Sequence, residues 1–348
     1  MACPATPRDL KQMVRDGLST LLFSFGYKTG IIDAFIKIQQ PCTAEELSQK
    51  SEKKLRYLQE WLSGMIGAGI VKLHEDGKYS LPYEEALLRQ WGDVSSVIPI
   101  FYEQFPKLEN VIAEDGPNGY GYYEPFLKWL DAYRSPDILQ AWNQNFLVPV
   151  VELKQEKDFT LLDIGCGYGK HTREVAKLYP TCTLYGIDTD QVSIDQAKME
   201  LAKGGPQNIQ YSCMKATELP PEWTDKFDFV FMNDVLHDAY GVDDILREFK
   251  RVLKPDGYGA VFDPPVSSYP EKQANDENAQ FYMPFSLFSC LPVSSLGENG
   301  NGYGIGWGYE RRKQKIEEHG FTLVKISEDI NTIQEGIVFQ KNVKQGYS

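Results

Sequence analysis

Between Phe159 and Tyr179 the chain has room for little except a strand, a tight turn and a helix. An apolar run, Phe159 to Leu162, leads into Asp163-Ile164-Gly165-Cys166-Gly167-Tyr168-Gly169-Lys170. Three glycines at alternate positions allow a sharp turn and a close approach to the backbone by a ligand. A helical pattern, His171 to Tyr179, follows directly. The start of such a helix offers free N–H groups to a carboxylate or phosphate. A second strand, Thr183 to Ile187, ends in Asp188, 19 residues past Gly169. A carboxylate at that strand end is placed to accept from the two hydroxyls of a ribose.

From Phe159 onward strands alternate with helices. The pattern predicts strands at 159–164, 183–188, 208–212, 227–232, 257–263, 321–326 and 335–341. Five strands joined through helices and a closing pair predict a doubly wound α/β sheet. No internal repeat is present. The one low-complexity segment is the glycine-rich run Gly297 to Gly308, read either as a hinge or as a plain exposed loop.

The Asp163-Ile164-Gly165-Cys166-Gly167-Tyr168-Gly169 run resembles the first motif of class I S-adenosylmethionine (SAM) methyltransferases. Its G-x-G-x-G spacing after an acid favours SAM over a dinucleotide, which takes G-x-G-x-x-G. The resemblance implies a seven-stranded Rossmann-like sheet with the last strand reversed. It also implies a cofactor site at Asp163, Gly165, Gly167, Gly169, Asp188, Met214 and Asn233. The turn Gly165–Gly169 would hold the methionyl carboxylate through its amides. Asp163 or the Gly165 carbonyl would take the ammonium, and Asp188 the ribose. At the adenine end the family's pattern is acid-Ala-x-x-Leu-Pro, but this chain reads Lys215-Ala216-Thr217-Glu218-Leu219-Pro220. Lys215 therefore replaces the usual adenine contact, which leaves Met214 to pack on the ring or a backbone carbonyl to accept from the adenine amine.

The fourth strand runs into Asn233-Asp234-Val235-Leu236-His237-Asp238. Ligands of open α/β sheets bind beyond the carboxyl ends of the strands, so this segment faces the cofactor. It resembles the O-methyltransferase motif that carries a general-base histidine. A hydroxyl must lose its proton to attack a methyl group, and a histidine suits that task. The reading assigns His237 as base, with Asp238 or Asp234 orienting it. An amine acceptor would need orientation alone, and His237 would then only shape the pocket. His171 reads as a surface residue at a helix start, His74 lies in the wing and His319 ends a late helix. No metal site is expected, because the strand-end acids lack a clustered His/Cys pattern.

Residues 1–90 predict a winged helix. Apolar spacing from Met13 to Ile36 marks helices. Thr43 and Glu46 form a capping box, a helix is expected from Glu52 to Gly67, and two short strands flank Asp76-Gly77. This pattern resembles the dimerisation domain of plant caffeate-type and animal hydroxyindole-type O-methyltransferases. With Val235-Leu236-His237-Asp238 and the glycine-rich segment, it most resembles a branch of winged-helix methyltransferases found in mycobacteria and animals. The resulting division is 1–90 as a winged-helix domain for dimerisation that also walls the substrate pocket, 91–150 as an aromatic-rich helical linker or lid, and 151–348 as the SAM-binding domain.

Lys53, Lys54 and Arg56 raise a rival reading, a SAM-sensing DNA-binding regulator. Charge opposes it: residues 1–90 carry a balance of +1 within a net −13, leaving −14 beyond. Such an acidic domain repels phosphate backbones. No apolar run is long enough for a membrane span, and the N-terminus has no apolar signal core. Six scattered cysteines without a C-x-x-C pair fit a reducing cytoplasm. The expectation is a cytoplasmic homodimer that methylates a small molecule.

Overall fold

The computed structural model describes residues 7–154, 158–297, 300–324 and 335–342. The chain divides into two units. One comprises residues 7–106 with 124–133, the other residues 107–123 with those from Arg134 onward. The segment expected as a single linker is thus shared between them, and the division falls at Pro106 inside a helix.

The first unit opens with α1 (Leu10–Lys28), capped by the Asp9 side chain on the amides of Lys11 and Gln12. Gly30, in the left-handed region, turns the chain into α2 (Ile31–Ile38). The Thr43–Glu46 capping box starts α3 (Ala44–Ser51), with both reciprocal hydrogen bonds made. The next helix does not begin at Glu52. Glu52 adopts a left-handed conformation that closes α3, and α4 spans Leu55–Gly67. Two-residue strands β1 (Lys72–Leu73) and β2 (Tyr79–Ser80) form the antiparallel wing, followed by α5 (Glu85–Ser95), α6 (Ile98–Val111) and α7 (Glu124–Tyr133). Ile32, Phe35, Leu47, Leu58, Trp61, Leu62 and Met65 make its core. The Trp61 indole donates to the Leu22 carbonyl at 2.8 Å, so its polar edge is satisfied on burial.

The second unit enters through α8 (Pro136–Trp142), a π-helical turn (Asn143–Leu147) and α9 (Val148–Glu152). Its sheet contains β3 (Thr160–Ile164), β4 (Thr183–Asp188), β5 (Ile209–Cys213), β6 (Phe227–Asn233), β7 (Leu253–Asp263), β8 (Phe321–Val324) and β9 (Glu335–Lys341). The spatial order is β5-β4-β3-β6-β7-β9-β8. β3 to β7 pair in parallel, while β9 runs antiparallel to β7 and to β8. Residues 325 and 326 of the expected sixth strand lie outside the described residues, as do Glu298 and Asn299 of the glycine-rich run. Helices α10 (Lys170–Leu178), α11 (Gln191–Ala202) and α12 (Val242–Val252) join the parallel strands. After β7 come α13 (Pro270–Gln273), α14 (Glu277–Phe285), a π-helical turn (Ser286–Cys290), α15 (Leu291–Ser294) and α16 (Gly308–Glu318).

Side chains alternate between the two faces of a strand, and both faces here are covered. Leu162, Ile164, Val230, Met232 and Val261 pack with α12 residues Ile245, Leu246 and Phe249. Leu161, Phe229, Phe231, Ala260 and Phe262 pack into the opposite core with Val175 and Ala176 of α10 and Ile194 and Ala197 of α11. This sheet places Gly165, Asp188, Asn233 to Asp238 and Asp263 at the carboxyl ends of β3, β4, β6 and β7. Phe249 is fully buried against the rings of Phe321 and Phe339, which also meet each other. Phe249→Ala should cost about 3–5 kcal/mol in urea unfolding, and a loss below about 1 kcal/mol would show that α12 is not anchored there.

Candidate active site

The glycine turn depends on its neighbours. Gly165, Gly167 and Gly169 all have positive φ. A Cβ on Gly165 would lie 2.4 Å from Val235, and one on Gly169 would lie 2.5 Å from the Tyr211 hydroxyl. A Cβ on Gly167 would meet nothing within 4 Å, so that part of the turn is an open cradle. The amides of Gly165 and Cys166 both donate to the Ile187 carbonyl, at 2.8 and 2.9 Å. Gly167 donates to Asp188 Oδ2 at 2.9 Å, and Gly169 to the Cys166 carbonyl. This differs from the expectation that these amides await a carboxylate. The end of β4 lies so close to the turn that it takes the amides of Gly165, Cys166 and Gly167, and the turn itself takes that of Gly169. Cys166 is a buried packing residue, as its size suggests.

Asp163 is buried beneath the turn and accepts from Thr172 Oγ1 at 2.5 Å. Burial pushes its pKa to about 7, with Asp188 adding to the rise and Thr172 and Arg134 opposing it. A buried carboxylate in that condition is one that a cationic ligand would stabilise. Asp188 accepts from Gly167 with one oxygen and from the Asp190 amide at 3.0 Å with the other. Its pKa is raised, chiefly by burial. Met214 is half-buried and donates its amide to the Asp188 carbonyl. Lys215 is exposed and lies 3.8 Å from Glu218. Asn233 closes β6, and its buried Oδ1 has no hydrogen-bond partner. Asp234 is held by Arg134 Nη2 at 2.5 Å.

His171 departs from its expected place on the surface. It is buried, its Nε2 lies 2.9 Å from Asn143 Oδ1, and its ring stands edge-on to Trp142. Burial, with Arg134 nearby, lowers its pKa to about 3, so it is a neutral ring of the core. His74 meets Ser80 in the wing at 2.9 Å, and His319 caps α16.

His237 sits in the turn after β6 and is almost wholly buried. Its Nδ1 meets Asp263 Oδ1 at 2.5 Å. Asp263, at the end of β7, was not among the sequence candidates, although it is a strand-end acid like Asp188. Asp238 lies on the other side, with Oδ1 3.0 Å from Nε2. That Oδ1 nevertheless has no aligned hydrogen bond, so the contact is ionic and off the ring's donor axis. Asp238 Oδ2 accepts from the Tyr122 hydroxyl at 2.5 Å. Asp238 therefore flanks the ring, and the residue that orients Nδ1 is Asp263. Burial opposes a charged ring, but Asp238 and Asp263 outweigh it and hold the His237 pKa well above the ordinary value. Asp238 is held below its ordinary value because His237 outweighs its burial.

Among the described residues, two trios bring metal-ligand atom types within 4.8 Å of one another: His237, Asp238 and Cys290, and Asp234, His237 and Asp263. We read both as ion-pair clusters centred on one imidazole, because His237 is shared and its Nδ1 is committed to Asp263. Asp263→Asn should lower the pKa of the His237 ring, since one of the two carboxylates that oppose burial would be gone. Histidine-labelled NMR would read this directly, and a ring that titrates unchanged would mean that Asp263 does not hold its proton.

Residues 155–304 match a family model described as a methyltransferase domain, and residues 17–89 one described as an Rv2258c-like winged HTH domain. A malonyl-[acyl-carrier protein] O-methyltransferase of Legionella pneumophila is 32% identical over 97 residues, covering 28% of this chain and 33% of that protein. The chain spans about a third of the length of the first curated relatives it matches. Among solved structures, an O-methyltransferase family protein from Burkholderia thailandensis aligns with TM-score 0.68 at 12% identity, covering 98% of this chain and all of that one. Human N-acetylserotonin methyltransferase in complex with SAM aligns with TM-score 0.61 at 16% identity, also over 98% of this chain and all of that one. S-adenosylmethionine is the cofactor such a domain binds, and the open cradle at Gly167 with the buried Asp163 carboxylate fits a ligand bearing positive charge. The chain thus joins a methyltransferase domain of the class I fold to a winged helix-turn-helix domain of the Rv2258c-like kind.

Proposed function

We propose that this protein transfers a methyl group from SAM to a hydroxyl of a small molecule, with His237 as the general base. The observation that carries the base assignment is the His237 ring itself. Asp263 holds Nδ1, which makes Nε2 the lone-pair nitrogen when the ring is neutral. Asp238 sits beside Nε2 without occupying its axis. Bound SAM supplies a sulfonium-activated methyl, whose bond to sulfur breaks as the bond to the acceptor oxygen forms. The chain's part is to receive the hydroxyl proton on Nε2 and to offset the imidazolium charge with Asp263 and Asp238.

In this reading Asp163 faces the ammonium and Asp188 the ribose. Gly165, Gly167 and Gly169 shape the turn, Met214 lies against the adenine and Asn233 borders the reacting end. With the amides at 165, 166, 167 and 169 already engaged, the methionyl carboxylate falls to the first turn of α10. The acidic surroundings suit a cofactor that carries a sulfonium. A duplex-binding role has less support, since Arg56 of the winged helix is paired with Glu60. A reducing cytoplasm is the proposed setting. None of the five described cysteines forms a disulfide, and no helix among the described residues is long and apolar enough to cross a membrane.

We also propose a homodimer formed through α1. Leu10, Val14, Leu18, Leu21 and Phe25 recur at steps of three and four, which puts them on one helical face, and all are exposed. A self-complementary apolar stripe of this kind suits a twofold pairing of copies.

The test of function is methyl transfer from labelled SAM into a fractionated extract. His237→Ala should lose about 10²–10⁴-fold in rate while SAM binding, read by calorimetry, stays intact. Because the two carboxylates raise the pKa of the ring above that of an ordinary histidine, the wild-type rate should climb with pH through a range more alkaline than that in which a free imidazole titrates. A modest loss in the variant would favour an amine acceptor, and no transfer to any fraction would discard the function. For the dimer, Leu18→Glu should convert a dimer into monomers in sedimentation velocity; a wild type that sediments as a monomer would refute the pairing.

A further inference from the structure

Arg312 belongs to none of the sequence motifs, yet it is the largest side chain buried without exposure. It projects from α16, a helix otherwise rich in surface charge. Its Nη2 donates to the Pro264 carbonyl at 3.0 Å, and its Nε lies 3.5 Å from Asp263 Oδ2. Asp263 is fully buried too, and its other oxygen meets His237 Nδ1. Behind the proposed base there is therefore a carboxylate, and behind the carboxylate a guanidinium. A guanidinium does not lose its proton in a protein, so its charge is permanent. Burying it is costly unless a compensating anion is close. Asp263 is one such anion, and the structure brings it there from the end of β7.

We infer that Arg312 is a positioning residue for His237: it aims Asp263 at Nδ1, and its charge limits how firmly the ring keeps its proton. The inference deepens the proposed function and rests on His237 being the base. Around the ring the charges alternate. Arg312 and the imidazolium are the cations; Asp263 and Asp238 are the anions that flank the imidazole. Among the described residues, the other titratable groups facing the cluster include Tyr122 on Asp238, Cys290 beside Asp238 and His237, and Asp234, which Arg134 neutralises. With Arg312 present, the two carboxylates at the ring are partly balanced by a fixed cation. Without it, they act on the imidazolium with less opposition, and a nearby anion favours the charged form of a histidine. A base that binds its proton more firmly is available only at higher pH. Arg312 thereby lowers the pH at which the base becomes available, something the Asp263–His237 pair does not do alone.

The test is the titration of the His237 ring by NMR on histidine-labelled protein, which has four histidines to assign. Two variants separate charge from shape. Arg312→Gln retains a donor for the Pro264 carbonyl and removes the charge; Arg312→Lys retains the charge and removes the fork. The expected result is an upward shift of the ring titration by about one pH unit in Arg312→Gln, with the alkaline rise of the methyl-transfer profile moving up beside it. Arg312→Lys should titrate close to wild type. A purely structural arginine would lower activity in both variants and leave the titration in place, and that result would overturn the inference. If Arg312→Gln does not fold, Asp263→Asn/Arg312→Gln leaves no lone buried charge. It should titrate above Asp263→Asn alone, and equality of the two would overturn the inference equally. The titration needs no acceptor. A ring that shifts as expected in a protein that methylates nothing would discard the base reading while leaving the electrostatic link standing.

Discussion

The site depends on the attachment of the glycine turn to the end of β4. One carbonyl, that of Ile187, accepts from two successive amides, and the neighbouring Asp188 carboxylate accepts from a third. These bonds satisfy buried backbone donors that would otherwise be costly to leave unpaired. They also fix where α10 starts, with Tyr211 and Val235 filling the space that side chains at Gly169 and Gly165 would need. Gly167 alone is left open, and the cradle beside it is defined by what surrounds it.

A second constraint is electrostatic. His237, Asp238, Asp263 and Arg312 are all buried, and each charge is acceptable only because the others are present. Burial would make the imidazole neutral, but the two carboxylates reverse that outcome. His171 shows the contrast within the same unit. It is equally enclosed, but it faces Asn143 in place of a carboxylate and has Arg134 nearby, and its pKa falls to about 3. The same side chain is driven in opposite directions by its neighbours, so the chemistry of a histidine here is a property of its partners.

Much of the fold was legible because it follows from short-range rules. The seven strands lie within a residue or two of their expected bounds wherever they are described, apart from an earlier start to β7. The Thr43–Glu46 box forms as its spacing requires. Glu52 was misread because a helix end in the left-handed region needs no glycine, and the chain gives no local warning of it. His171 was misread because the residues that enclose it, Trp142, Asn143 and Phe231, come from outside the motif.

The sequence by itself determined the strand–turn–helix at Asp163 to Leu178, the acid at the end of β4 and the winged helix, because each is set by contacts between near neighbours in the chain. Tertiary structure alone decided which carboxylate meets which cation. Asp263 reaches His237 across 26 residues, Arg134 reaches Asp234 across 100, and Tyr122 reaches Asp238 across 116. The physical reason is register. Asn233 pairs with Phe262 in the parallel ladder, so the turn after β6 and the last residue of β7 emerge side by side at the carboxyl end of the parallel strands. No local pattern encodes that alignment, nor the arrival of Arg312 from α16 behind it.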